Sequence, residues 1–178
     1  MTDRPPLPHD FMPVVPSFQV RSDNVADGQM MSENQVFDSW GMTGGNISPS
    51  LSWSDFPAET KSFAVTCFDP DAPTGSGFWH WIVLGIPASV TELETNVAGT
   101  DGSGLPEGAF HVRNDYGVKD FGGAAPPAGD EPHRYVFTVY ALDVDALDVD
   151  DEISPAVAGF NLRFHAIARA SLIPVYGL

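Results

Sequence analysis

The chain has 178 residues, of which 43% are hydrophobic, 11% aromatic and 18% charged, a composition typical of one folded domain and not of a disordered protein. Its 24 Asp and Glu against 8 Lys and Arg leave a net charge of −16, which argues against a nucleic-acid partner because phosphates are normally met by a basic surface. The single Cys67 excludes an internal disulfide, and no apolar run approaches the roughly 20 residues that span a bilayer.

The first sixteen residues are rich in proline and predict an extended arm that lies on the surface or against a neighbour. Residues 17–178 are predicted to form one domain. The first ten residues lack a basic region followed by an apolar one, so no secretory signal is predicted and we expect a cytoplasmic protein. A homodimer through the arm or a sheet face is compatible with the sequence, although no feature demands it.

Short β-like stretches follow the arm, separated by turn residues rich in Gly and Pro. They are rich in β-branched and aromatic residues, which favour strands. The predicted strands cover residues 17–20, 62–68, 80–86, 109–112 and 135–142. Several such strands predict a mainly β fold, an antiparallel β-sandwich with long loops.

A helix is predicted near the C-terminus. Ser154 is a favourable N-cap and Pro155 suits the first helical position, while Pro174 ends the pattern. Four residues recur at helical spacing and predict the face that packs on a sheet: Phe160, Phe164, Ile167 and Ser171. His165 lies within this helix, where a structural role is expected.

Two loops hold most of the side chains that could carry chemistry. The first is residues 68–73, which follows a buried strand and is stiffened by two prolines; Trp79-His80-Trp81 then opens the next strand. The second covers residues 114–127, after which His133-Arg134-Tyr135 enters the strongest predicted strand. Histidines at strand starts beside such loops can converge on one pocket at a sheet end.

Three motifs in these loops resemble the phosphatidylethanolamine-binding protein family, and in particular its bacterial branch of Raf-kinase-inhibitor-like proteins. They are DPDAP at residues 69–73, WHW at residues 79–81, and a Pro-Pro pair five residues before HRY at residues 133–135. The order, spacing and flanking strands match from about residue 17 to residue 170.

The resemblance implies a small pocket that accepts a phosphate or a phospholipid head group. It implies that the pocket is formed by Asp69, Asp71, His80, His133 and Tyr135, with Ala72 and Pro73 as its wall. Backbone N–H groups from Gly123 to Ala125 are expected to add donors. The implied function is a small-anion binding protein with a regulatory or signalling role, and no cofactor or metal is expected.

Physical reasoning supports a histidine as the positive charge, because the chain has only two lysines. A carboxylate beside an imidazole favours its protonated form, so Asp69 and Asp71 are expected to orient His80 and hold its charge. Trp79, Trp81 and Phe121 are candidates for an apolar wall, although core packing is the alternative for at least one tryptophan.

Other interpretations stay open for the same residues. Asp69 and Asp71 also suit loop-capping roles, and His80 and His133 also suit structural hydrogen bonds. A zinc site lacks supporting spacing, and the acidic run from Asp143 to Asp150 lacks the central Gly and closing Glu of a calcium loop.

Two further function classes compete with anion binding. One is a slow ester or phosphodiester hydrolase in which His80 or His133 acts as general base, with Asp71 as partner. No G-x-S-x-G motif supports a nucleophile, and Cys67 lies in an apolar strand, so we expect no turnover. The other is an inhibitor that acts by binding a protein partner.

Overall fold

The computed structural model describes residues 4–99 and 104–178, and these residues form ten β-strands and one α-helix. The strands are β1 (Gln19–Arg21), β2 (Leu51–Ser54), β3 (Ser62–Asp69), β4 (Phe78–Pro87), β5 (Glu92–Leu93), β6 (Phe110–His111), β7 (His133–Arg134), β8 (Val136–Leu142), β9 (Ala166–Leu172) and β10 (Val175–Tyr176), and the helix is α1 (Pro155–His165). Each of the five predicted strands overlaps one of these, so a mainly β fold is confirmed.

The strands form three open sheets. The largest has five antiparallel strands in the order β6-β4-β3-β8-β9. A three-stranded sheet has the order β1-β2-β5, and β7 pairs with β10. Because the strands of the three-stranded sheet are only two to four residues long, the predicted β-sandwich is not clearly formed.

Both faces of the five-stranded sheet are buried. On β3, Phe63, Val65 and Cys67 belong to the core shared with the three-stranded sheet, whereas Ala64 belongs to a second core on the opposite face. Successive strand residues point to opposite faces, so a strand covered on both sides must be apolar throughout. This explains why β3 is mainly apolar in the sequence, with Thr66 as a buried polar exception.

The predicted helix begins where expected but ends earlier. Ser154 caps it, because its Oγ accepts a hydrogen bond from the backbone N–H of Val157 at 3.3 Å. The helix stops at His165, and the following residues form β9, which pairs with β8. The expectation of a helix up to Pro174 is therefore wrong. Within the described ranges, no helix combines the length and apolarity needed to cross a membrane.

The predicted packing face of the helix is also wrong. Phe160 and Phe164 are each 63% exposed and contact each other on the outside. The residues that pack on the sheet are Ala158 and Leu162, which join the second core. The expectation that the helix packs on a sheet holds, because this core includes Ile82 of β4.

The N-terminal segment lies along the rest of the protein. Residues Pro8–Phe11 form a single 3-10 turn, so the segment is not extended throughout. Three arginine side chains donate to its backbone carbonyls, among them Arg163 to Phe11 and Arg169 to Pro13. The division between an arm and a domain at residue 17 stays a prediction.

Candidate functional site

The strand topology brings the predicted polar residues to one end of the five-stranded sheet. β3 runs antiparallel to both β4 and β8, so the end of β3 lies beside the starts of both neighbours. Asp69 is the last residue of β3, and it pairs with the first residue of β4. His80 is the third residue of β4. His133 begins β7, and Tyr135 lies directly before β8.

A cavity of about 130 Å³ opens at this sheet end. Seven of the predicted site residues line it: Asp69, Ala72, Pro73, His80, Ala125, His133 and Tyr135. Five further residues line it that the sequence analysis did not select: Trp40, Thr74, Phe78, Tyr116 and Pro127. The volume is below the roughly 300–1,000 Å³ of sites for drug-sized ligands, so the cavity suits a small group.

Asp69 and His133 form a buried ion pair. Nδ1 of His133 lies 2.7 Å from Oδ2 of Asp69, and both side chains are almost fully buried. The other oxygen of Asp69 accepts from the backbone N–H groups of Asp71 and Ala72. Burial lowers the pKa of His133, but the hydrogen bond and charge of Asp69 outweigh it, so the pKa is raised overall. Below pH 6.5 His133 is therefore protonated and supplies the positive charge of the site.

His80 is neutral at physiological pH. Its Nδ1 lies 2.8 Å from the carbonyl oxygen of Gly122 and 3.1 Å from that of Gly123. Carbonyls only accept, so Nδ1 carries the proton and Nε2 is the acceptor. Burial lowers the pKa of His80, and the charge of Asp69 and the two carbonyls offset this only in part. The expectation of a protonated His80 is wrong because the burial of its imidazole outweighs the two carbonyls and the charge of Asp69, which favour the protonated form.

The loop at Gly123 supports the cavity from behind. Its carbonyl also accepts from the hydroxyl of Tyr116 at 2.8 Å, and its N–H donates to Oδ1 of Asn46. A Cβ on Gly123 would lie about 2.5 Å from the backbone of Val36, so only glycine fits. The N–H of Ala124 also bonds elsewhere in the backbone. The expected donors at Gly123 and Ala124 are thus used by the fold.

Tyr135 presents a hydroxyl whose hydrogen has no acceptor. The residue is 1% exposed, and the backbone N–H of Ala125 approaches its oxygen, but in the described part of the chain no group accepts its O–H. Burial, followed by the charge of Asp69, raises the pKa of Tyr135 well above its usual range. The hydroxyl therefore stays protonated, as a donor at the wall of the cavity.

Asp71 lies outside this cavity, contrary to expectation. Its carboxylate forms a two-pronged ion pair with Arg134, at 2.7 and 2.9 Å, and also binds Arg4. Burial raises the pKa of Asp71, but the hydrogen bonds and charge of Arg134 outweigh it and lower the pKa overall. Asp71 instead lines a separate, mostly apolar cavity of about 530 Å³ beneath the N-terminal segment. It does not contact His80.

The apolar wall of the site comes from different aromatics than expected. Trp81 and Phe121 are buried in the first core, and Trp79 lines the cavity beneath the N-terminal segment. The rings at the cavity belong to Trp40, Phe78 and Tyr116. Trp40 lies about thirty residues before the DPDAP motif, and no local pattern pointed to it. In residues 4–99 and 104–178, no group of three or more His, Cys, Asp or Glu is placed to hold a metal ion.

Nearly the whole chain, residues 21–177, matches the model of a family described as phosphatidylethanolamine-binding protein. The chain belongs to this family. Membership supports a ligand-binding protein with this fold, as the resemblance implied.

Among bacterial relatives of the family, the protein is similar to two UPF0098 proteins of Escherichia coli strain K12. It is 51% identical to YbcL over 160 residues, which cover 90% of this chain and 87% of YbcL. It is 49% identical to YbhB over 158 residues, which cover 87% of this chain and 97% of YbhB.

Two crystal structures of family members share the fold. The structure of Escherichia coli YbcL, a member of the mammalian PEBP family, aligns with a TM-score of 0.89 and 50% identity, covering 91% of this chain and 99% of YbcL. A phosphatidylethanolamine-binding protein homologue from Chlamydia trachomatis aligns with a TM-score of 0.75 and 29% identity. The alignment covers 91% of this chain and 98% of the homologue. These two solved relatives therefore share the fold of this protein.

Proposed function

We propose that the cavity binds the phosphate group of a small molecule or of a phospholipid head group. The observation that carries the proposal is the buried hydroxyl of Tyr135, which lines the cavity and whose O–H finds no acceptor among the described residues. A buried donor left without a partner costs about 1–3 kcal/mol. A phosphate oxygen is an acceptor that would satisfy it.

The charge of the site favours a singly charged phosphate. His133 supplies one positive charge, but Asp69 at its Nδ1 and Asp130, 3.5 Å from its Nε2, compensate that charge. A dianion would therefore meet no net positive charge, whereas a phosphodiester carries only one negative charge. The neutral His80 adds an acceptor, Nε2, which suits the P–OH of a singly protonated phosphate monoester; a diester carries no such proton.

Binding is favoured over hydrolysis by the state of the same residues. A general base works best with a pKa near the working pH, and burial lowers the pKa of His80. Thr74 lines the cavity and has an aliphatic hydroxyl of the kind that can act as a nucleophile. This hydroxyl instead donates to the carbonyl of Gly77. The family description, phosphatidylethanolamine-binding protein, also names binding and not turnover.

Calorimetric titration of dimethyl phosphate tests the proposal, because this diester keeps one charge across the neutral range. We expect saturable heat for the wild type at pH 6, below the raised pKa of His133, and weaker binding once the pH exceeds that pKa and the imidazolium loses its proton, with pH 9 as the comparison. His133→Gln should abolish the heat at pH 6.

His165→Gln is the matched control, because His165 also pairs with an aspartate, at 2.9 Å from Asp143, away from the cavity. This variant should bind as the wild type does. The proposal is overturned if the wild type gives no saturable heat at either pH, or if His133→Gln and His165→Gln bind equally well.

A further inference from the structure

Trp40 is unusual in its exposure to solvent and in its backbone conformation. Its side chain is 70% exposed although it is the largest apolar type, and it lines the cavity. Its backbone φ is +57°, a left-handed conformation that a bulky residue rarely adopts. Such conformations persist where the surrounding structure holds them, and they cluster at ligand sites. Core packing does not account for an indole held there in the open.

Three rings form one face of the cavity, which we call the aromatic wall: Trp40, Phe78 and Tyr116. The ring centroid of Tyr116 lies 4.8 Å from that of Trp40 and 4.7 Å from that of Phe78. Phe37 stacks on Tyr116 from behind at 4.0 Å. The wall is therefore supported by neighbouring rings, while Trp40 remains open to solvent.

The charge of the protein disfavours an isolated anion at this site. The chain carries a net charge of −16, and the ion pair of His133 with Asp69 leaves the cavity without net positive charge. A ligand that brings its own cation avoids this repulsion. The faces of Trp, Tyr and Phe rings attract cations within about 6 Å of their centroids, and Trp is the strongest of the three.

The type of cation follows from the hydrogen-bond acceptors near the wall. Asp69 is occupied, because one oxygen accepts two backbone N–H groups and the other binds His133. The hydroxyl of Tyr116 already donates to Gly123. Nε2 of His80 is a further acceptor at the cavity, but a primary ammonium needs acceptors for three N–H groups. A quaternary ammonium has no N–H group and is recognised by aromatic faces.

We propose that the aromatic wall binds the trimethylammonium group of a choline phosphodiester whose phosphate occupies the cavity. This inference rests on the proposed phosphate site and adds the class of ligand. Trp40 is the residue that sets the preference for choline over ethanolamine.

The test compares three diesters that share a singly charged phosphate: glycerophosphocholine, glycerophosphoethanolamine and glycerophosphoglycerol. Calorimetry on the wild type should show glycerophosphocholine binding about tenfold more tightly than glycerophosphoglycerol, with the ethanolamine diester between them. Trp40→Ala should remove most of this difference between the choline and glycerol diesters. Phe160→Ala is the control, since this aromatic is 63% exposed on the helix.

The outcomes separate this inference from the phosphate site itself. If dimethyl phosphate binds but the choline and ethanolamine diesters bind equally, or if Trp40→Ala keeps the preference for choline, the inference is overturned while the phosphate site stands. If no diester binds, both fail.

Co-sedimentation with vesicles of phosphatidylcholine, against vesicles of phosphatidylglycerol, distinguishes the source of the ligand. Trp40-dependent binding to phosphatidylcholine vesicles identifies a lipid head group. Binding of glycerophosphocholine without vesicle binding identifies a soluble choline diester.

Discussion

Replacing Tyr135 by Phe should move stability and binding in opposite directions. The hydroxyl is buried and no group in the described part of the chain accepts its O–H, so removing it relieves an unsatisfied donor. Such a group costs about 1–3 kcal/mol, and solvent entering the open cavity offsets part of this. We expect Tyr135→Phe to raise the free energy of unfolding of the ligand-free protein by about 0.5–1 kcal/mol.

The same substitution should weaken phosphate binding. A hydrogen bond to a charged acceptor contributes about 1.5–3 kcal/mol, which corresponds to a loss of affinity of at least about tenfold. Urea denaturation of the ligand-free protein measures the first effect, and calorimetric titration of dimethyl phosphate measures the second. Both are made at pH 6, where His133 is protonated.

Tyr176→Phe is the matched control because the hydroxyl of Tyr176 has a partner, donating to Oε1 of Glu33 at 2.9 Å. Its loss should lower the free energy of unfolding by about 0.5–1.5 kcal/mol and leave phosphate binding unchanged. If Tyr135→Phe destabilises the protein as Tyr176→Phe does, and binds phosphate as tightly as the wild type, then Tyr135 does not face a ligand and the reasoning is refuted.

Three further predictions follow from other parts of the molecule. Asp69→Asn should lower the pKa of His133 in an NMR titration, because the carboxylate that outweighs burial is gone; an unchanged pKa would contradict the ion-pair assignment. Burial and then the charge of Arg169 lower the pKa of His9 to about 4 from 6.5, so its stabilising contribution is present above pH 6.5 and is lost as the pH falls toward 4. NMR signals of residues 9–12 should therefore shift to disordered positions in that interval while those of β8 do not, and simultaneous loss of both would argue against local release. Leu162→Ala should lower the free energy of unfolding by about 2–5 kcal/mol in urea, whereas a comparable loss in Phe160→Ala would contradict the observed packing face.

The histidines show how far residue types alone could lead. Both sit at strand starts beside Gly- and Pro-rich loops, and this placement selected them. Whether an imidazole is charged depends on which groups lie within a few ångströms of it. The carboxylate of Asp69 pairs with His133 and outweighs its burial, whereas the burial of His80 outweighs the two carbonyls beside it. The two aspartates of the DPDAP motif also have different partners. Asp69 pairs with His133, whereas Asp71 pairs with Arg134.

The C-terminal region shows a second limit. Apolar residues at helical spacing continued past His165, but β8 has an open edge there, and pairing with it satisfies the backbone of residues 166–172 as strand β9. The helix also turns a different face to the sheet than the largest aromatics suggested, because small and branched residues, Ala158 and Leu162, fit against β4 and β8. Tertiary packing therefore decided both the length and the orientation of the helix.

The sequence by itself determined the family, the central strands and most of the residues around the cavity. Mainly apolar stretches predict strands that are buried on both faces. The order of the three motifs along the chain identifies the family whatever the conformation of the loops. Only the tertiary structure showed which histidine favours the protonated form. It also showed that Asp71 lies outside the cavity and that Trp40 lines it. These depend on distances between segments far apart in the chain, and such distances are set by strand pairing and packing, which no local pattern encodes.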